Sequence, residues 1–260
     1  MTIRLDNLEI LFLILARMSG FVYTAPILSL KNIPVRVKAG FSIFLAIILY
    51  YTVPVSMPEY DGVIGYAILV VRETIAGVLM GYFSNIAYHI LSFAGQIMDM
   101  EIGFSMINQL DPLTNTQTSI SANLYGYLVL LMMLITNLHH YFIRAVVDSF
   151  KVIGLGDAVF PPNMYRLMVK FVADYFVIAM RIVLPMYAAI LTVNIVLAIL
   201  AKAAPQMNMF VIGIQLKIVV GLFILYLIIG LVPSVGDFIY NKMMEMLKTI
   251  IELMSSGPGT

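Results

Sequence analysis

The chain has 260 residues, 62% of them hydrophobic and only 11% charged, with a mean hydropathy of +0.99. A water-soluble domain carries about 25% charged residues, so the composition excludes a soluble globule and, through its apolar excess, a disordered chain. A net charge of +1 excludes nucleic-acid binding through a basic face, and the absence of cysteine excludes disulfides, thiolate nucleophiles and thiolate metal sites. What remains is an all-α, polytopic membrane protein.

Crossing about 30 Å of hydrocarbon takes about 20 apolar residues of helix. Six stretches approach that length: 8–30, 39–56, 63–90, 120–138, 171–200 and 211–232. The first is longer than a signal-peptide core and no A-x-A-like site follows it, so it is expected to be retained. Pro34 in the basic loop 31–38, Pro54 and Pro58 before Asp61 and Gly62, and Pro161-Pro162-Asn163 punctuate the chain. Pro185 removes a backbone donor inside the fifth stretch and predicts a kink there, so several of the helices are read as kinked. Lys217 is expected to open the last span and snorkel to the interface. Over 237–254, Ile239, Met243, Leu247, Ile250 and Met254 recur at helical spacing opposite Lys242, Glu245, Lys248 and Glu252. This predicts a C-terminal amphipathic helix that leaves the apolar region and docks on a partner.

Strict alternation of six spans puts Lys31, Arg36, Lys38 and Lys202 on one side. Arg4, Arg144, Lys151, Arg166, Lys170, Lys242 and Lys248 fall on the other. The two basic segments, 31–38 and 144–170, pull the positive-inside rule in opposite directions. Either one stretch is no true span, or protein rather than lipid covers some of these helices.

Arg17, Arg72, Glu73, Asp174 and Arg181 lie inside apolar stretches. Left facing lipid, they would cost about 15 kcal/mol together, so they are expected to meet other helices, a neighbouring subunit or a wet cavity. Arg72 and Glu73 are adjacent and point about 100° apart, which prevents them from satisfying each other. Gly77-x-x-x-Gly81 follows in the same helix and suits close helix packing.

Candidate chemistry is sparse. Gly154-Leu155-Gly156-Asp157 matches the GxGD pattern of intramembrane aspartyl proteases, but it lies in a turn before Pro161-Pro162 and reads as a glycine turn. His139 and His140 are expected on different helix faces, with no carboxylate at i±4 to complete a metal site. No catalytic, cofactor or metal site is expected. The segment from Gly103 to Ser119 is too long for an ordinary connection and too apolar for disorder. Its uncharged polar residues, among them Asn108 and Gln109, suit the lining of a narrow passage, and Phe104, Met106, Ile107 and Leu110 suit its closure.

Several pieces, taken in order over some 200 residues, resemble the FliR/SctT family, the R-type subunit of the flagellar and type III secretion export gate. They are Arg17, Pro26, Pro34 and Lys38; Arg72-Glu73-x-x-x-Gly77-x-x-x-Gly81; Gly95-Gln96-x-Met98-Asp99-x-x-x-Gly103; Asp111-Pro112; Asn137-Leu138-His139-His140; and Ser149-Phe150. The most specific is Lys202-x-x-Pro205-Gln206-x-Asn208-x-Phe210-x-x-Gly213, ending near Lys217. The chain departs from the family pattern at Ile214-Gln215-Leu216, where a proline is common, and at Leu138, where a glycine is common.

The resemblance, flagellar rather than injectisome-like, implies a non-enzymatic subunit of a closed protein-export channel with no cofactor. It implies a P-subunit-like part over 1–170, with a plug-like loop at 103–119, and a Q-subunit-like hairpin with the amphipathic tail over 171–260. The partners it implies are P- and Q-type gate subunits, the B-type switch subunit, the A-type export subunit and exported flagellar proteins; no nucleic acid is among them. The place it implies is the basal body in the bacterial cell (inner) membrane. A secondary transporter is the alternative on kinked helices and midplane charges, and a GxGD protease the third.

Overall fold

Breaks between helices fall where the sequence supplies proline, glycine or a polar run. The computed structural model describes residues 5–30, 32–54, 56–104 and 119–255. These contain α1 (Leu5–Thr24), α2 (Val35–Thr52), α3 (Gly62–Ile102), α4 (Ile120–Ile135), α5 (Leu138–Val152), α6 (Met164–Ala203), α7 (Met209–Ile229) and α8 (Val232–Ser255). Pro34 precedes α2 as its N-cap. Gly62 (φ +65°) opens α3 and Gly103 (φ +99°) ends it, both in the left-handed region that favours glycine.

The protein is an all-helical polytopic membrane protein. Stretches in α1, α2, α3, α6 and α7 are long and apolar enough to cross a membrane, and the α4–α5 pair makes a sixth if its two halves form one bent span. The predicted boundaries need correction. The third stretch does not stop at 90, because nothing between 90 and 102 breaks a helix, and α3 runs for 41 residues. The fourth is no straight span to 138: the chain turns by 76° between Ile135 and Leu138, with Asn137 in the left-handed region (φ +57°). His139 and His140 follow in the first turn of α5, their ring centroids 4.1 Å apart. α3 and α6, at 41 and 40 residues, each trace about 60 Å, twice the hydrocarbon core of a bilayer.

The chain divides into two compact units. One comprises residues up to Ala87, Thr136–Val172 and the chain from Ile239; the other comprises Tyr88–Ile135 and Ala173–Phe238. In the first unit, Phe21 packs against Phe142 with ring centroids 5.5 Å apart, and Phe83 meets Phe171 edge-on at 5.4 Å. The α8 tail belongs to this core. Ile239, Met243, Leu247, Ile250 and Met254 are all fully buried, and the Val159 N–H donates to the Met254 carbonyl at 3.0 Å. The stripe expected to dock on a partner is therefore covered by its own chain.

In the second unit, small residues set the spacing. A Cβ on Gly95 would strike the Ala122 backbone, and one on Gly221 would strike the Ile102 side chain. Phe93 stacks on Tyr175 at 5.3 Å.

Burial of the tail makes its two faces unequal. Leu247→Ala should cost about 2–5 kcal/mol through the cavity it leaves, whereas Lys248→Ala, on the exposed side, should stay within about 0.5 kcal/mol. Thermal unfolding of the protein purified in mild detergent measures both, and equal shifts would contradict the packing of α8.

Candidate functional site

Arg17 and Glu73 are each 0% exposed, on α1 and α3. Two charges removed from water are tolerable only when paired and saturated with hydrogen bonds, and here they are. The Arg17 guanidinium donates through Nε to Glu73 Oε2 at 2.5 Å and through Nη2 to Oε1 at 3.0 Å, the bidentate geometry that a planar fork permits. Its remaining donors turn to the chain just after α5: Nη1 to the Ile153 carbonyl and Nη2 to the Gly154 carbonyl, both at 3.1 Å. The Phe150 ring lies 4.3 Å beneath Cζ, a cation–π contact. Glu73 Oε1 also accepts from the Gly156 N–H at 2.8 Å. Gly156 has φ +83°, and a Cβ there would crowd Leu69 and Pro58. The GxGD turn thus serves as a clamp for the ion pair, while Asp157 itself is exposed.

Close helix packing makes the pair possible. Cβ atoms at Gly77 or Gly81 would collide with the α1 backbone at Arg17 and Phe21 or at Phe21 and Ala25, and one at Gly20 would collide with the Thr74 carbonyl. Thr24 Oγ1 reaches across to the Val78 carbonyl at 3.2 Å. Lys38, read from sequence as a loop cation, lies in α2 and is largely buried, its Nζ donating to the Ser29 carbonyl at 2.9 Å.

A second polar junction joins the C-terminal part of α3 to the start of α4. Asp99 is 3% exposed. Its Oδ2 accepts from Ser119 Oγ at 2.7 Å and its Oδ1 from the Ser121 N–H at 3.1 Å, while Ser119 Oγ accepts from the Ala122 N–H at 3.1 Å. A carboxylate at the N-terminus of α4 satisfies donors that the helix leaves open and sits at its positive end. Phe104 is buried; Met106, Ile107, Asn108, Gln109 and Leu110 lie outside the described residues.

The other predicted site residues do not bond Arg17 or Glu73 among the described residues. Arg72 is exposed, with Nη1 3.4 Å from the Gly156 carbonyl. Asp174 is half-buried and Arg181 exposed, both on α6. Lys202, Pro205, Gln206, Asn208 and Phe210 are exposed around the α6–α7 turn. There the Asn208 side chain accepts from the Phe210 N–H at 3.2 Å and caps α7. Gly213 is buried against Leu197. Lys217 does not open the last span: it lies well inside α7, half-buried. With Glu101, Gly103 and Asn194 it lines a groove of about 240 Å³. The described residues contain no cluster of His, Asp and Glu able to hold a metal.

Sequence reasoning named Arg17 and Glu73 but not their pairing, and it missed Phe150, Gly154 and Gly156 as the third wall of the site. It also missed Ser119 and Ser121 as the partners of Asp99. A serine immediately before an apolar helix is a readable cap signal; a carboxylate donated from another helix is not.

The family model for bacterial export proteins, family 1, matches residues 8–243. The chain is 28% identical over 254 residues to the flagellar biosynthetic protein FliR of Bacillus subtilis, covering 96% of this chain and 97% of that protein. It is also 28% identical over 257 residues to FliR of Escherichia coli, covering 98% and 96%. FliR of Borreliella burgdorferi is 25% identical over 218 residues, covering 83% and 81%.

Removing one partner of the buried pair should be costly. Glu73→Ala strands a guanidinium without water or counter-charge and should lose about 3–5 kcal/mol; Gly77→Val should separate α1 from α3 and weaken the same site. Protease resistance of the detergent-purified variants measures both, and wild-type resistance of Glu73→Ala would contradict the assignment.

Proposed function

The chain belongs to the bacterial export proteins, family 1, and on that premise we propose that it is a non-enzymatic structural subunit of a flagellar type III protein export gate. In this reading it forms part of the closed channel that passes unfolded flagellar proteins across the cell membrane. The observation that carries the reading is the match to flagellar biosynthetic proteins along nearly the whole chain. Residues 1–170 act as the P-like part, with 103–119 as a plug, and 171–260 as the Q-like hairpin. P- and Q-type subunits are the immediate neighbours, the B-type switch and A-type export subunits the further ones, and the basal body in the bacterial inner membrane the location.

Two physical features support this reading. Helices of about 60 Å exceed the bilayer and suit a conduit that extends beyond it. In addition, less than a third of each apolar stretch in α2, α3, α6 and α7 is buried within the chain, which leaves broad faces for neighbouring helices or lipid.

Affinity purification from a flagellated host in mild detergent, followed by native mass spectrometry, should recover the chain in a complex of several different subunits. Recovery alone or as a homodimer would overturn the proposal. Deleting 106–117 should leave that complex intact but make the cells leak small ions, measured as loss of membrane potential; normal conductance with a correctly assembled deletion complex would remove the plug from the proposal.

A further inference from the structure

We propose that the outward face of α2 is a site for an anionic phospholipid, with Arg36 on the headgroup phosphate and the acyl chains along the apolar column that follows it. This goes beyond the gate reading and does not rest on it.

Residues 10–58 hold four cations and no carboxylate. Glu73 neutralises Arg17. The other three, Lys31, Arg36 and Lys38, all fall within 31–38, where α1 gives way to α2. In this first unit α1 and α3 run parallel: the Tyr66 hydroxyl bonds the Glu9 carbonyl near their starts, and the Thr24 hydroxyl bonds the Val78 carbonyl further on. Level with the α1–α2 connection, α3 adds no charge between Thr74 and Ala87. At the opposite end Glu59 and Asp61 lead into α3, and the Glu9 carboxylate accepts from the Tyr60 hydroxyl. These three helices are therefore basic at one end and acidic at the other, and only the basic end suits an anionic surface.

The face that Arg36 heads defines the ligand more closely. Lys38, Ser42, Ala46 and Leu49 form the buried stripe of α2, and Lys38 Nζ donates to the Ser29 carbonyl at 2.9 Å. On the opposite face Arg36, Gly40, Ile43, Ile47 and Tyr51 follow at steps of four and three residues, all exposed. Among the described residues, none bonds the Arg36 guanidinium. A Cβ at Gly40 would meet nothing within 4 Å, so there is open space one turn from the charge. From Ala39 to Thr52 the helix carries no charge, a length of about 20 Å.

The occupant must be anionic at Arg36 and apolar for that length beyond it. Inorganic phosphate answers only the first demand and an uncharged helix only the second. A zwitterionic lipid would bring its own cation up to the guanidinium. A phospholipid with net negative charge supplies a phosphate for the planar fork and chains for the column in one molecule.

The chain contains no cysteine, so Val37→Cys, at an exposed position beside Arg36, provides a unique attachment point for a fluorescent donor. The protein is purified in whatever assembly it forms and titrated in phosphatidylcholine-containing micelles. Energy transfer to headgroup-labelled phosphatidylglycerol should exceed transfer to headgroup-labelled phosphatidylcholine at the same mole fraction. Arg36→Glu changes the site by two charges and should weaken phosphatidylglycerol association about thirtyfold, whereas Arg36→Lys should largely preserve it. Equal transfer to the two lipids, or wild-type association in Arg36→Glu, would overturn the inference. So would capture of another polypeptide in place of lipid by a benzophenone on the same cysteine. None of these outcomes bears on the gate reading, which stands or falls on recovery of the heteromeric complex.

Discussion

A guanidinium and a carboxylate with no access to water cannot exist side by side unless each lone pair and N–H finds a fixed partner. In this chain the Arg17–Glu73 pair draws three distant segments into one place: α1, α3, and the turn following α5 at Ile153–Gly156. Apolar packing is non-directional and leaves register between long helices weakly specified. The bidentate fork allows one axial setting of α1 against α3, and the Gly156 N–H allows one position of the turn. The pair contributes specificity more than stability, since well-packed apolar residues of the same volume often do as well energetically.

That constraint explains the placement of glycine. The fork reaches only if the α1 and α3 backbones nearly touch, which Gly20, Gly77 and Gly81 permit and a methyl group at any of them would prevent. The same logic governs the second unit, where Gly95 admits the α4 backbone and Asp99 then reaches Ser119 and Ser121. Each unit therefore joins one small-residue contact to one buried carboxylate. The carboxylates differ in what they hold: Glu73 fixes one helix against another, whereas Asp99, near the end of α3, holds Ser119 and Ser121 at the start of α4.

Much of the fold was legible in the sequence, and the reasons are local. The apolar stretches, the proline and glycine breaks and the two-sided pattern of 237–254 are properties of neighbouring residues, which a linear reading captures. Three features were not legible. The continuation of α3 to Ile102 passes through Ser92, Gln96 and Asp99, which resemble the end of a span although none of them breaks a helix, and of the three Asp99 is buried. The 76° turn at Asn137 depends on a left-handed residue that need not be glycine. The pairings Arg17–Glu73 and Asp99–Ser119 join residues 56 and 20 positions apart, and one sequence holds no record of which charge meets which. Gly154-Leu155-Gly156-Asp157 shows the risk in the other direction: a pattern suited to catalysis turns out to supply backbone groups to an ion pair.

The two classes of charge within the apolar helices carry different physical information. Arg17 and Glu73 are satisfied inside the chain, so their energy is spent on its fold. Arg72, which reaches the Gly156 carbonyl, and Arg181 are exposed within apolar stretches of their helices, where lipid is a poor solvent for them. Among the described residues the Ser121 and Tyr125 hydroxyls are buried without a hydrogen-bond partner, but a neutral hydroxyl left so costs far less than a guanidinium in hydrocarbon. If neighbouring helices cover these faces, as the gate reading has it, the conflicting positive-inside signals follow as well, because helices covered by protein need not obey a rule that sorts helices covered by lipid.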